Sequence, residues 1–264
     1  MAIVEYSKEG TFLSDTENIA KISLNRPEIM NALSLEMLEE INKALDKAEN
    51  DNDIRAVVLT GNGKAFCAGV DLKAINALNE EDRKRLTTLG QSTFKRIEDF
   101  PKVVIAAING YAFGGGLEIS MACDMRVASE EAKFGTSEVK LGLIPAWGGL
   151  QRLPYLIGMS RAREMVLTGN TYGPAELEKW GLLSKVVPPD ELASTAAFLA
   201  SNVADNAPLA LKYAKQSLNA TRTLSIDEGY KLDTELQDKL NVSEDLQEGI
   251  TAFLAKRKPK YSGK

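Results

Sequence analysis

At 264 residues, with 44% apolar residues and a net charge of −5, the chain is long enough to bury a full core, and its charge balance argues against a surface for nucleic-acid phosphates. It contains no histidine, which removes Ser/His/Asp and Cys/His nucleophilic machinery and the commonest zinc ligand, so proton-transfer chemistry falls to carboxylates, Lys, Tyr or Cys. Cys67 and Cys123 are too few for a disulfide framework and lack CxxC spacing, and no apolar run approaches the roughly 20 residues of a membrane span.

The opening stretch from Met1 to Gly10 has neither a basic start ahead of an apolar segment nor an Arg-rich, acid-poor composition, and a cytoplasmic protein is expected. Short apolar runs at 19–24, 54–60, 103–108, 125–128 and 182–187 predict buried strands. Between them, Leu35, Leu38, Ile41 and Leu45 recur at helical spacing after Ser34, and a longer amphipathic helix is expected over 83–100 with Leu86, Leu89, Phe94 and Ile97. This alternation predicts an α/β fold with mostly parallel sheets. From Pro208 onward only helices are expected. Ser225 with Glu228 forms a capping-box pattern, Ser243 precedes Glu244 and Asp245 at another helix start, and Lys256 and Arg257 suit that helix's C-terminal end. The chain therefore divides into an α/β core over 1–205 and a helical region over 206–264, with no repeat or linker between them.

Two glycine clusters follow predicted strands, where open α/β sheets build ligand sites: Gly61-Asn-Gly-Lys-Ala-Phe-Cys-Ala-Gly69 and Asn109-Gly-Tyr-Ala-Phe-Gly114-Gly115-Gly116-Leu-Glu118. The first lacks the third glycine of a dinucleotide fingerprint, with Phe66 in its place, and Lys64 has no P-loop spacing. The triple glycine opens a helix expected over 117–123, where backbone N–H groups can turn toward an oxyanion with the helix dipole behind them. A tight turn or a close helix approach would use the same glycines. Glu118, and Glu138 after Phe134-Gly-Thr-Ser, each read alone as helix-start acids. Together, beside an oxyanion-binding turn, they are a carboxylate pair suited to acid/base chemistry next to a carbonyl.

Six segments in order resemble the crotonase (enoyl-CoA hydratase/isomerase) family along nearly the whole chain. They are 24–33 (LNRPEIMNAL), 65–72 (AFCAGVDL), 107–118 (AINGYAFGGGLE), 134–145 (FGTSEVKLGLIP), 148–153 (GGLQRL) and 248–257 (EGITAFLAKR). The resemblance implies a spiral of repeated ββα units with a C-terminal helical trimerisation region, assembling as homotrimers or homohexamers. It implies an acyl-CoA thioester substrate, with coenzyme A entering as part of that substrate, no separate cofactor, no metal, and no nucleic-acid or membrane partner. The thioester oxygen would be held by the N–H groups of Val70 and Gly115, and Glu138 and Glu118 would be the acid and the water-activating base of a hydratase. Ala68, Asp71, Leu72, Gly114 and Trp147 would contact the substrate or its CoA. Ala146 and Trp147 depart from the glycine and alanine of many hydratases, and Trp147 read alone is equally a core residue. Double-bond isomerisation by Glu138 alone, or a non-catalytic CoA- or RNA-binding role, are the alternatives.

Overall fold

The computed structural model describes residues 2–8 and 18–264. Strands β1 (Val4–Ser7) and β2 (Ile19–Leu24) lead through a helical turn at Pro27–Ile29 to helix α1 (Leu35–Asn50). Three long strands follow, each bent sharply into a short one: β3 (Ala56–Gly61) into β4 (Ala65–Cys67), β5 (Val103–Ile108) into β6 (Tyr111–Phe113), and β7 (Met125–Ser129) into β8 (Lys133–Gly135). Helices α2 (Leu72–Ala77) and α3 (Glu80–Asp99) follow β4, α4 (Gly115–Ala122) follows β6, and a 3-10 turn at Glu138–Leu141 follows β8. The chain continues through α5 (Gly149–Ile157), α6 (Met159–Thr168), β9 (Thr171–Tyr172), α7 (Pro174–Lys179), β10 (Lys185–Val187), α8 (Leu192–Ala204), α9 (Pro208–Ala220), α10 (Ile226–Asn241) and α11 (Glu244–Leu254).

The long strands form one sheet in the order β1-β2-β3-β5-β7-β10, parallel except where β1 meets β2. The short ones form a second sheet, β4-β6-β8-β9, antiparallel only between β8 and β9. The expected spiral of ββα units is therefore present. Alternate residues of the large sheet bury opposite faces, as a period of two requires. Ala20, Ile22, Val57, Leu59, Val104 and Ala106 face the main core with α1, whereas Ile19, Ala56, Val58, Ile105 and Val127 meet Leu192, Ala196 and Ala200 of α8.

Helix starts follow local chemistry. Ser34 accepts from Met37 N–H, Ser243 accepts from Leu246 N–H, and Ser225 with Glu228 makes the reciprocal capping box. Two strand expectations run long. Ile54 N–H bonds back to Asp51, so pairing begins at Ala56, and Gly181 at φ +87 ends the α7 segment so that Leu182 and Leu183 plug the core before β10 starts at Lys185. Helix α9 is tied to the core by Lys215, whose buried ammonium donates to Asp124 Oδ2 at 2.8 Å and to the carbonyls of Ile97 and Lys102 at 3.2 and 3.3 Å. Among the described residues no helix is long and apolar enough to cross a membrane.

Candidate active site

Asparagines hold the first bend. Asn31, buried and with φ 57, donates from Nδ2 to the carbonyls of Asn62, Ala65 and Phe66 at 3.0, 2.8 and 3.2 Å, while its Oδ1 accepts from Arg26 N–H at 2.8 Å. Asn109 spans the same bend, accepting from Gly61 N–H and donating to the carbonyls of Gly63 and Ala65. The loop leaving β4 is then fixed by a parallel bridge in which Leu33 N–H donates to Gly69 O and Asp71 N–H donates to Leu33 O. In that pattern the bracketed residue, Val70, points its own N–H away from Leu33.

What lies on that other side is set by glycines. A Cβ at Gly69 would stand 2.9 Å from Phe113 O and 3.6 Å from Gly115 N, so the two chain segments run side by side. At Gly116 a Cβ would fall 1.9 Å from Cys67 O, which only a glycine permits. Gly114 adopts φ 50 and ψ −123, a conformation open essentially to glycine, and starts α4 with no side-chain cap. The N–H groups of Gly115, Gly116 and Leu117, which precede the first intrahelical bond from Glu118 N–H to Gly114 O, have no intrahelical acceptor.

Glu118 lies in that turn and is 3% exposed. Its Oε1 accepts from Trp147 N–H and from Gly149 N–H, both at 2.8 Å. Burial nevertheless pushes its pKa up to about 7, and the nearby Glu138 carboxylate adds to the rise. Glu138 begins the turn after β8. Among the described residues neither of its buried oxygens has a hydrogen-bond partner, and burial raises its pKa as well. A carboxyl without donors in a low-dielectric wall favours its protonated form. One carboxylate is thus locked in place, and the other borders the cavity beside Gly114 with no hydrogen-bond partner among the described residues.

A cavity of about 300 Å³ joins these groups. Ala68, Val70, Leu72, Gly114, Gly115, Glu118, Glu138 and Trp147 all border it, with apolar walls from Ile75, Leu86, Leu141 and Leu143. Asp71 does not border it: its carboxylate caps α2 by accepting from Ala74 N–H at 3.0 Å and pairs with Arg26 at 3.4 Å. Sequence reasoning missed the supports behind the wall. Arg152 Nη1 donates to Trp147 O at 3.1 Å, and its guanidinium pairs with buried Glu98 at 2.9 Å, which Arg222 also reaches. Gln91 donates to Ala146 O at 2.8 Å. Asn31 had a signal, since it sits inside the 24–33 motif, but Glu98 and Gln91 look like ordinary surface polar residues of an amphipathic helix.

A ββα spiral in which two acid-raised carboxyls face an amide-edged cavity defines a crotonase-fold enzyme. The chain belongs to the enoyl-CoA hydratase/isomerase family, whose model matches residues 14–264. It is 40% identical over 250 residues to the short-chain-enoyl-CoA hydratase of Clostridium acetobutylicum, covering 94% of this chain and 96% of that one. It is 37% identical over 257 residues to the crotonyl-CoA hydratase of Syntrophomonas wolfei, covering 97% and 99%. Among solved structures, an enoyl-CoA hydratase from Bacillus anthracis superimposes with a TM-score of 0.94 at 38% identity, covering 100% of both chains.

Proposed function

We propose that this enzyme adds water across the double bond of a 2-enoyl-CoA thioester to give the 3-hydroxyacyl-CoA. The observation that carries the reading is the unequal treatment of the two carboxyls: Glu118 is clamped by two N–H groups, while Glu138 faces the cavity with both oxygens unpartnered. The thioester carbonyl accepts from Val70 and Gly115 N–H, and these fixed dipoles stabilise the charge that develops on its oxygen. Ionised Glu118 takes a proton from water as the hydroxide adds to the third carbon. Protonated Glu138 delivers its proton to the second carbon, and solvent exchange returns both carboxyls to their starting states. A pKa near 7 leaves about half of Glu118 ionised and available as a base at neutral pH, and the burial-raised Glu138 retains its proton more readily than an ordinary glutamate.

Double-bond isomerisation needs one proton carrier only, so the double clamp on Glu118 favours hydration. Coenzyme A enters with the substrate. Ala68 and Leu72, at the mouth beside the first bend, suit contacts to it, and Asp71 supports them by holding the α2 start. A cytoplasmic setting agrees with two free, buried cysteines. Assembly into trimers or hexamers would cover Ile226, Tyr230, Val242, Phe253 and Leu254 of the C-terminal helices, which are 63–87% exposed in the single chain. Light scattering reads that mass directly. The catalytic reading is tested by following loss of the conjugated-thioester absorbance of crotonyl-CoA with wild type, Glu118→Gln and Glu138→Gln. Rapid formation of 3-hydroxybutyryl-CoA that collapses in both variants is expected, and activity surviving in either one overturns the two-carboxyl mechanism.

A further inference from the structure

The indole of Trp147 stands between two cavities. On one side is the cavity of about 300 Å³ that holds Glu118 and Glu138; on the other is a broader groove of about 1010 Å³ bordered by Gln91, Lys95, Tyr155 and Arg222. Ile144, Ala146 and Trp147 border both. Ala146 has a single side-chain carbon and Ile144 is 60% exposed, so the partition is essentially the indole, which is 5% exposed.

Its seat is built by missing side chains. A Cβ at Gly90, in the interior of α3, would lie 2.4 Å from ring atoms Cδ2 and Cε2, and one at Gly115 would lie 3.2 Å from Cζ3. Phe94 meets the ring edge-on, with centroids 5.4 Å apart at 81°. A glycine inside a helix is unfavourable relative to alanine, and here the ring fills the space it leaves. The same residue's N–H holds Glu118, and the ring touches Gly115. A thioester whose oxygen sits at the Val70 and Gly115 amides, with its third carbon at Glu118, therefore directs the rest of its chain at the indole.

We propose that Trp147, seated on Gly90, sets acyl length: it ends the pocket after a short chain, and its removal joins the two cavities into a passage for longer enoyl groups. The proposal rests on the hydratase reading above. The test is kcat/KM for crotonyl-, 2-octenoyl- and 2-dodecenoyl-CoA with wild type, Trp147→Leu and Trp147→Ala, each of which keeps the backbone N–H to Glu118. Burying one further methylene is worth about fourfold, so a 10-fold or larger rise in the dodecenoyl-to-crotonyl ratio is expected in Trp147→Ala, with Trp147→Leu between. Should the alanine variant fail to fold, the leucine variant and the wild-type length profile decide. An unchanged ratio in both variants, or a wild type that hydrates dodecenoyl-CoA as well as crotonyl-CoA, overturns the proposal while leaving the hydratase reading intact. A wild type inactive on all three substrates overturns the hydratase reading and this proposal together.

Discussion

Replacing Glu118 by glutamine separates what this carboxyl does for catalysis from what it does to stability. In the fold its pKa is about 7 against an ordinary 4.5, because burial outweighs the two N–H donors. Below the lower value the group is protonated in both folded and unfolded chains. As pH rises through the interval the unfolded chain ionises first, and stability falls until the folded group ionises too. The loss amounts to about 3 kcal/mol in full, and about 2.5 kcal/mol between pH 5 and pH 8. Glutamine keeps the oxygen that accepts from Trp147 and Gly149 but does not titrate. Urea unfolding of both proteins should therefore show the variant gaining about 2.5 kcal/mol on the wild type between pH 5 and pH 8, while hydration falls roughly 10²–10⁴-fold. The reasoning is refuted if the two stabilities run parallel across that range, for then burial does not hold the Glu118 proton.

Wild-type kcat/KM for hydration should decline as pH drops below about 7, where Glu118 protonates, and a flat profile between pH 6 and pH 8 would contradict its role as base. Glu98→Ala leaves the Arg152 guanidinium buried without its partner and should cost about 3–5 kcal/mol in urea unfolding, with Glu98→Gln costing less. Gly116→Ala drives a methyl into Cys67 O and lifts α4 off β4; a loss of about 1–3 kcal/mol is expected, with kcat falling more than KM rises as the Gly115 amide moves. Cys67 and Cys123, fully buried with pKa values pushed up to about 12 by that burial, should resist a thiol reagent until the chain unfolds, and fast labelling of the native protein would contradict their burial.

The large sheet was legible because each of its central strands is a run of β-branched and small apolar residues buried on both faces, a pattern long enough to register. The second sheet was not. Its strands are two or three residues long, too short for any period, and Ala65–Cys67 or Lys133–Gly135 acquire strand character only from neighbours distant in sequence. Helices α5 and α7 were missed for a related reason, since Pro154 interrupts the helical period of α5 and α7 is only six residues long. For the site, motifs located Glu118, Glu138 and the two glycine turns, because glycine identity there is dictated by backbone conformation and close approach. Asp71 entered as a substrate contact through the resemblance alone, and its role as the cap of α2 emerges only once that helix is seen. Glu98 and Gln91 carry no local signature, because their partners lie 54–55 residues away along the chain, whereas Arg152 sits inside the 148–153 motif, which marks the position without revealing what it holds.

The three short strands β4, β6 and β8 also act as a ruler. Val70, Gly115 and Glu138 each follow one of them, on three successive passes of the chain through the same small sheet. Their lateral spacing is thus inherited from the separation of neighbouring strands, about 4.8 Å, a length no side-chain substitution can alter. Residues can be inserted in the long excursions between passes, such as the stretch carrying α3, without changing that pitch. A single residue added between a short strand and the group it carries would rotate that group out of line, so in this enzyme the tolerance to insertion should drop abruptly within a few residues of each pass.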